Sequence, residues 1–182
     1  VVVNLCIDFL ENRTDKKTVD LCSGSGAIAV ALDKISGAKV TAVEIDETAF
    51  SYLETNVKGN NSSVKPVMAD ALEICETFAD GELDLIVSNP PYIKSADIET
   101  LQKEVRLEPR LALDGGEDGY DFYREIVSRW SRKLKKGGAL AFELGENQAD
   151  AVKALMTDKG FSDFKISLDF GGVQRAIIGT LL

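Results

Sequence analysis

Short apolar runs alternate with amphipathic stretches along most of this chain. A short apolar run bounded by Gly, Asn or Asp is typical of a buried strand, whereas apolar residues three or four positions apart are typical of a helix. The first five apolar runs alternate with helices, so they should form parallel strands with helices on both faces. The pattern predicts seven strands, at residues 18–22, 39–44, 64–69, 83–88, 139–144, 161–168 and 174–182.

A short turn containing Gly171 and Gly172 joins the last two predicted strands, and so short a turn requires antiparallel pairing. The predicted fold class is therefore α/β, with a seven-stranded, mostly parallel sheet and an antiparallel edge strand. Residues 93–118 follow the fourth strand and are expected to form a lid or substrate loop.

We expect Gly137-Gly138 to end a helix at 121–134. Inward apolar positions are predicted for three helices: Leu5, Phe9 and Leu10; Ala49, Phe50, Leu53 and Val57; and Phe122, Ile126, Val127 and Trp130.

Composition narrows the class of protein. The chain has 182 residues, of which 45% are hydrophobic and 28% charged, so residues 1–182 are predicted to form a single domain with a sizeable core. With 30 acidic and 21 basic residues, the formal charge is −9. Because phosphate binding needs clustered Lys and Arg, a general nucleic-acid surface is disfavoured.

The absence of histidine excludes Ser-His and Cys-His nucleophile pairs and any His-ligated metal, so we predict no metal site. The three cysteines, Cys6, Cys22 and Cys75, form no C-x-x-C motif and imply no disulfide framework. They fit a reducing cytoplasm, which is the expected location. No apolar run approaches the length that spans a membrane, so no membrane partner is expected.

The tetrapeptide Asn89-Pro90-Pro91-Tyr92 follows the fourth predicted strand, and open α/β sheets place their chemistry where strands end. The two prolines lack N–H donors and leave carbonyls free to accept hydrogen bonds. Asn89 adds a side-chain carbonyl, and Tyr92 adds a flat apolar face. These groups suit a planar –NH₂ group whose two hydrogens they accept. A proline-stiffened turn is the simpler explanation for such a motif, but its position and the Tyr favour the functional one.

The motif Gly24-x-Gly26-x-x-Ala29 fits the G-x-G-x-x-G/A loop that follows the first strand of nucleotide-binding folds. Glu44 ends the second strand, where an acidic residue could hold a ribose diol. Nicotinamide, flavin and S-adenosylmethionine sites share this pattern. A glycine needed only for close helix packing would also explain it.

The charges around this loop favour one cofactor. Asp20 lies near the end of the first strand, and no Lys or Arg occurs between Thr18 and Asp33. A site with an acidic residue and no basic one is unsuited to the negative charge of a pyrophosphate. It suits the positively charged sulfonium and ammonium groups of S-adenosylmethionine, and the backbone amides of the glycine-rich loop could bind the carboxylate of that cofactor. Asp70, after the third strand, could accept from an adenine amino group or equally cap a helix at 71–76.

Taken in order, these motifs resemble those of class I S-adenosylmethionine-dependent methyltransferases, with a Rossmann-like fold. The finer resemblance is to the HemK/PrmC family, which methylates glutamine in peptide chain release factors. It covers nearly the whole chain. Besides the motifs above, the matching residues are Ser88 and Ile93, Glu108-Pro109, Ala112-Leu113, Gly115-Gly116, Asp118-Gly119, Phe142 to Gly145, Gln148, Asp169, Gly172 and Arg175.

The resemblance implies a role for each motif. Asp20 and the segment Cys22-Ser23-Gly24-Ser25-Gly26 would line S-adenosylmethionine, Glu44 would bind its ribose, and Asp70-Ala71 would border its adenine. Asn89 would also contact the cofactor. Asn89, Pro90, Pro91 and Tyr92 would hold the glutamine of a release factor, which is the implied partner. Any contact with nucleic acid would be indirect, through the ribosome.

The chain departs from the family at several places. Cys22 stands where members carry Gly or another small residue, and Glu44 where Asp is common. The family also has a helical N-terminal domain and an R-P-E-T-E-like segment that have no counterpart here. Residues 1–182 are therefore expected to be the catalytic domain without the substrate-recognition domain.

The predicted chemistry is methyl transfer to an amide nitrogen, with Asn89, Pro90 and Tyr92 as the catalytic residues. Accepting both amide hydrogens at Asn89 Oδ1 and the Pro90 carbonyl would fix the orientation of the amide, with Tyr92 packed on its plane. Glu108, Glu143 and Glu146 are interpreted as structural or surface carboxylates. Three alternatives stay open: a nucleic-acid amino methyltransferase acting on a flipped base, a nicotinamide oxidoreductase, and a non-catalytic subunit of the same fold.

Overall fold

The computed structural model describes residues 1–182 and contains a seven-stranded sheet with the order β3-β2-β1-β4-β5-β7-β6. Its strands are β1 (Lys17–Leu21), β2 (Lys39–Glu44), β3 (Lys65–Met68), β4 (Leu83–Ser88), β5 (Leu134–Glu143), β6 (Phe161–Leu168) and β7 (Gln174–Leu181). Every predicted strand is present. The bounds of β2, β4 and β6 agree with the prediction to the residue.

The first five strands are parallel, as predicted, and β7 pairs antiparallel with both β5 and β6. The predicted antiparallel edge is therefore confirmed, with β7 inserted between β5 and the outermost strand β6. A turn with Gly172 at φ 81° joins β6 to β7, which is too short for the crossover that a parallel pair needs.

Helices cover both faces of the sheet. One core cluster joins the first three helices to one face, and a second joins α5 and α6 to the other. Alternate residues of the central strands serve the two clusters: Leu85 and Val87 face the first, whereas Ile86 faces the second. The helices are α1 (Val2–Leu10), α2 (Ala27–Ser36), α3 (Glu47–Gly59), α4 (Arg110–Leu113), α5 (Asp121–Trp130) and α6 (Ala149–Thr157). No helix has the length and apolar character needed to cross a membrane.

The predicted end of α5 and start of β5 are wrong. The helix ends at Trp130, and the strand begins at Leu134, so Gly137 and Gly138 lie inside β5. Six residues of β5, from Leu134 to Ala139, lie opposite only three residues of β4, from Leu83 to Leu85. The glycine pair thus lies in an irregularity of the strand, where Gly137 adopts φ 74°, a left-handed conformation that glycine tolerates best.

The predicted inward faces of two helices are also partly wrong. In α1 the buried residues are Val2, Cys6 and Leu10, whereas Leu5 and Phe9 are half-buried at the side of the core. In α5, Tyr123 takes the core position predicted for Phe122. A helix predicted at 71–76 is instead a set of turns followed by a 3₁₀ turn at Ile74–Thr77, and further 3₁₀ turns lie at Ile98–Thr100, Val105–Leu107 and Ser131–Lys133.

Candidate active site

A cavity of about 300 Å³ opens at the carboxyl ends of β1, β2, β3 and β4. The connection after β1 leads to β2 on one side of β1, whereas the connection after β3 leads to β4 on the other side. Such a point of reversal leaves a crevice between the loops, which is where open α/β sheets bind ligands. The walls come from loops that follow these strands and from residues 108–112. The lining residues are Cys22, Gly24, Val43, Glu44, Ile45, Asp46, Ala49, Ala69, Asp70, Ala71, Leu72, Asn89, Pro91, Glu108, Pro109, Leu111, Ala112 and Phe122.

The glycine loop after β1 forms part of the cavity wall at Gly24. Gly24 has φ 54° and Gly26 has φ 80°, so both adopt the left-handed conformation that glycine tolerates best. A Cβ on Gly26 would also collide with Leu53 of α3. The glycine pattern therefore serves both the close packing of helices and the shape of the loop. Neither Ser23, Ser25 nor Gly26 lines the cavity.

The carboxylate of Glu44 is held by three backbone N–H groups at the end of β2. Its Oε2 accepts from Gly24 N at 2.7 Å, and its Oε1 accepts from Ile45 N at 2.9 Å and from Asp46 N at 2.8 Å. The residue is only 8% exposed, yet it lines the cavity. The sequence prediction placed Glu44 at the site but missed this anchoring role.

Two of the amides expected to bind a cofactor carboxylate are already engaged within the chain. The N–H of Gly24 donates to Glu44, and the N–H of Gly26 donates to the carbonyl of Ser23 at 2.8 Å. The loop is thus built from internal hydrogen bonds before any ligand binds, which gives it a defined shape.

Asp20 lies fully buried beneath the glycine loop and does not line the cavity. Its Oδ2 accepts the N–H of Ala29 at 3.0 Å, whereas its Oδ1 has no hydrogen-bond partner. Burial raises the pKa of this carboxyl to about 8, the Ala29 N–H opposes the rise, and the charge of Glu44 adds to it. The hydroxyl of Ser23 is a second buried polar group without a partner. Two unsatisfied polar atoms therefore lie at the end of β1.

Cys22 lines the cavity in a conformation that is rare for a residue with a side chain. Its φ is 56°, in the left-handed region that favours glycine. Burial raises the pKa of its thiol to about 12, with the Ser88 side chain opposing the rise, so the group stays a thiol at neutral pH. The left-handed backbone gives a physical reason why glycine would suit this position better than the cysteine that this chain carries.

Asp70 and Ala71 both line the cavity after β3. The Oδ1 of Asp70 accepts the N–H of Leu72 at 2.7 Å, and its backbone carbonyl accepts from Ile74 at 3.0 Å. The carboxylate therefore stabilises a turn, and no α-helix follows for it to cap. The carbonyl of Ala71 accepts the indole N–H of Trp130 at 2.8 Å, which ties this turn to α5.

The tetrapeptide Asn89-Pro90-Pro91-Tyr92 lies at the mouth of the same cavity. Asn89 is exposed and, with Pro91, lines the wall, whereas Pro90 is buried and is not part of the lining. Tyr92 is half-buried, and burial raises the pKa of its hydroxyl. The exposed side chain of Asn89 thus lies beside the cavity. It is followed by Pro90 and Pro91, whose backbone has no N–H group.

Glu143, interpreted from the sequence as a structural or surface carboxylate, lies beside Asn89. The register of β4 with β5 pairs Ser88 with Phe142, so Asn89 and Glu143 are the next residues on adjacent strands. Burial raises the pKa of Glu143, and the charge of Arg175 and a hydrogen bond with the Asn89 side chain oppose the rise. The sequence missed this neighbour because it depends on strand order.

Residues 93–118 form a closed loop whose two ends meet. Ile93 donates to the carbonyl of Leu113 at 2.9 Å, and Gly115 donates back to the carbonyl of Ile93 at 2.8 Å. Between these anchors, Glu108, Pro109, Leu111 and Ala112 contribute to the cavity wall. The segment predicted as a lid or substrate loop therefore borders the cavity.

Comparisons with known proteins agree with this architecture. The release factor glutamine methyltransferase of Clostridium acetobutylicum is 36% identical over 183 residues, which cover 98% of this chain and 64% of the relative. That of Geobacter sulfurreducens is 42% identical over 165 residues, which cover 90% of this chain and 57% of the relative. The chain thus spans somewhat less than two thirds of the length of these curated relatives.

Solved structures share the fold. A methyltransferase from Pyrococcus furiosus aligns with a TM-score of 0.72 and 23% identity, over 98% of this chain and 82% of that one. The sheet order, the cavity at its switch point and the glycine loop are those of the class I S-adenosylmethionine methyltransferase fold. The model of the methyltransferase small domain matches residues 3–108, more than half of the sequence, and the chain therefore belongs to the methyltransferase small domain family.

Proposed function

We propose that this domain transfers a methyl group from S-adenosylmethionine to the side-chain amide nitrogen of a glutamine in a peptide chain release factor. The observation that carries the proposal is the exposed Asn89, followed by two prolines, at the mouth of a cavity whose walls hold carboxylates and no Lys or Arg. The names of the relatives support the acceptor, since both are release factor glutamine methyltransferases.

The chemistry of the cavity fits S-adenosylmethionine better than a dinucleotide. Glu44, Asp46 and Asp70 line it, so a pyrophosphate would meet negative charge without a compensating cation. The unpartnered Oδ1 of Asp20 is a buried polar atom under the same loop, and a bound cofactor that brings positive charge would favour the ionised form of this carboxyl. We assign the ribose to Glu44 and the adenine to the wall formed by Asp70, Ala71 and Leu72.

The residues of the tetrapeptide would prepare the acceptor amide. A carboxamide nitrogen is a poor nucleophile because its lone pair is delocalised into the carbonyl. Accepting its hydrogens at Asn89 Oδ1 and at the Pro90 carbonyl orients it and favours positive charge developing on nitrogen. Tyr92 packs on the amide plane. When bound, S-adenosylmethionine would supply an electrophilic methyl group, with S-adenosylhomocysteine as the leaving group. The methylated nitrogen would then lose one proton to solvent.

The function is tested by incubating the protein with S-adenosylmethionine and a release factor, or a peptide containing its glutamine, and mapping the product by mass spectrometry. We expect one added methyl group on the glutamine side chain. The matched control is the same peptide with the glutamine replaced by glutamate, which lacks the amide nitrogen. Methylation of an adenine in RNA or DNA, with none on the peptide, would instead support the nucleic-acid alternative. Tight binding of a nicotinamide dinucleotide without S-adenosylmethionine binding would overturn both.

A further inference from the structure

The side chain of Gln148, in the turn between β5 and α6, is 7% exposed and makes four hydrogen bonds. Its Nε2 donates to the carbonyl of Tyr92 at 3.1 Å and to that of Gly119 at 3.3 Å. Its Oε1 accepts from the N–H of Gly145 at 2.9 Å and lies 3.1 Å from the hydroxyl of Tyr123, whose single proton is shared with the carbonyl of Glu143 at 2.9 Å. Because the carbonyls of Tyr92 and Gly119 can only accept and the N–H of Gly145 can only donate, the amide has only one favourable orientation.

These four bonds join parts of the chain that meet only in the folded protein. Tyr92 ends the tetrapeptide after β4, Gly119 follows the closed loop 93–118, Gly145 follows β5, and Tyr123 belongs to α5. The amide of Gln148 therefore links the acceptor side of the site to the loop that borders the cavity.

Three glycines allow the backbones to approach Tyr92 closely enough for this link. A Cβ on Gly115 would lie 2.8 Å from Tyr92 Cα, and one on Gly119 would lie 2.6 Å from Tyr92 O. A Cβ on Gly145 would lie 2.7 Å from Gln148 Oε1 and 2.9 Å from Tyr92 Cδ2. The surroundings of Tyr92 are thus built to hold its backbone at one place.

The tetrapeptide needs an external anchor of this kind. Pro90 and Pro91 have no N–H, so the backbone cannot be fixed by donor bonds at these two positions. The next attachment points are the carbonyl of Tyr92, which Gln148 holds, and the backbone of Ile93, which forms hydrogen bonds with Leu113 and Gly115. Loss of the first leaves the loop held on one side only.

We propose that Gln148 is a positioning residue for methyl transfer, which fixes the Tyr92 carbonyl and thereby the orientation of Asn89 and Pro90 toward the acceptor. The inference rests on the proposed function, because it assigns the tetrapeptide to the acceptor. Gln148 does not line the cavity, so its loss should affect the transfer step much more than cofactor binding.

The test compares Gln148→Glu with Gln148→Met and with Gln174→Glu, a control that makes the same charge change at an exposed position of β7. For Gln148→Glu at about pH 8 we expect kcat to fall about tenfold to hundredfold, as for a small misplacement of reacting groups. Binding of S-adenosylhomocysteine should change less than about threefold. Gln174→Glu should behave as the wild type. Gln148→Met, which keeps the volume but removes all four bonds, should show the same kcat loss.

A pH profile separates positioning from general loss of structure. In Gln148→Glu, the introduced carboxylate faces the carbonyl oxygens of Tyr92 and Gly119, so it should protonate near neutral pH and regain one donor. The activity relative to wild type should therefore recover as the pH falls from about 8 to about 6, whereas Gln148→Met should show no recovery. Tyr123 and Glu143, the titratable neighbours, are present in all three proteins, so their own titration cancels in the ratio.

Hydrogen exchange at the Ile93 amide supplies a readout that does not depend on activity. We expect faster exchange there in both Gln148 variants than in wild type or Gln174→Glu. If the wild type methylates no glutamine, the proposed acceptor is wrong, and exchange at Ile93 still decides whether Gln148 anchors the loop. Unchanged kcat and unchanged exchange, or equal losses of kcat and of S-adenosylhomocysteine binding without pH recovery, would overturn the inference.

Discussion

The carboxylate of Glu44 accepts the backbone N–H of Gly24 at 2.7 Å, so the end of β2 holds the glycine loop that follows β1. This bond joins the two motifs from which the cofactor was predicted. It means that the loop and the acidic residue form one structural unit, and that a change in either should alter the other.

We expect Glu44→Gln to weaken S-adenosylhomocysteine binding by about tenfold to hundredfold. The reason is that the proposed hydrogen bond between the Glu44 carboxylate and the ribose is charge-assisted, and such a bond contributes about 1.5–3 kcal/mol. The amide offers one acceptor oxygen where the carboxylate offers two, so at least one of the N–H groups of Gly24, Ile45 and Asp46 would lose its partner. Isothermal titration calorimetry measures the change. Glu47→Gln, exposed in the first turn of α3, is the control. Equal affinities for both variants would contradict the assignment.

Replacement of Cys22 by glycine should stabilise the protein. A residue with a side chain pays about 1–2 kcal/mol for the left-handed backbone at Cys22, and glycine would remove this strain from the folded state. Glycine is also more flexible in the unfolded chain, which lowers the free energy of unfolding by about 0.5–1 kcal/mol. A net increase of about 0.5–1 kcal/mol in the free energy of unfolding is expected in urea denaturation. Cys22→Ala keeps a Cβ and should show no such gain. A Cys22→Gly variant less stable than Cys22→Ala would disprove the argument.

The Asp20 carboxyl should make stability fall as the pH rises. Its pKa is about 8 in the folded protein, against an ordinary value of 3.8, so between these values the folded state binds a proton that the unfolded state has released. The stabilisation of the folded state by this bound proton is complete below about pH 4, and it is lost as the pH rises to about 8. Asp20→Asn has no proton to lose.

The stability of Asp20→Asn relative to wild type should therefore increase from about pH 5 to about pH 8. The increase should be on the order of 3 kcal/mol, since one pH unit is worth about 1.4 kcal/mol. Thermal or urea unfolding across this range measures it, with Asp158→Asn at the exposed end of α6 as the control. A difference between Asp20→Asn and wild type that stays constant with pH would show that Asp20 is ionised in the folded protein.

Asn89→Ala should lower kcat by about 10² to 10³ while S-adenosylhomocysteine binding changes far less. Asn89 is proposed to act on the acceptor amide, and removal of one preoriented hydrogen-bonding group costs about this much. Single-turnover kinetics and calorimetry measure the two effects separately. Asn12→Ala, at an exposed turn after α1, serves as the control. A near wild-type rate for Asn89→Ala would show that the tetrapeptide is only a turn.

Much of the fold follows from local pattern. The strands β2, β4 and β6 were predicted to the residue, because each is a short apolar or alternating run with a polar or glycine residue within two positions of each end. The N-cap of α3 is equally local, since Asp46 Oδ1 accepts the N–H of Ala49, three residues further on, at 2.8 Å. Such features depend on a few consecutive residues, so they can be read before the chain folds.

The face that a uniformly apolar helix buries could not be predicted in the same way. Most residues of α1 are apolar, so its periodicity fits several orientations, and packing against β5 and β7 selected Val2, Cys6 and Leu10. Gly137 and Gly138 were predicted to end a helix, but pairing of Leu134 and Ala139 with β4 on either side of them places them inside a strand. In both cases a partner distant in sequence decided the outcome.

The same division holds for the candidate site. The sequence by itself determined which motifs lie at strand ends: the glycine loop, Glu44, Asp70 and the tetrapeptide from Asn89 to Tyr92. Only the tertiary structure decided that Asp20 lies below the loop, that Glu143 lies beside Asn89, and that Gln148 holds Tyr92. The reason is physical: strand order and loop closure bring these groups together across long sequence separations, whereas motifs record only neighbours along the chain.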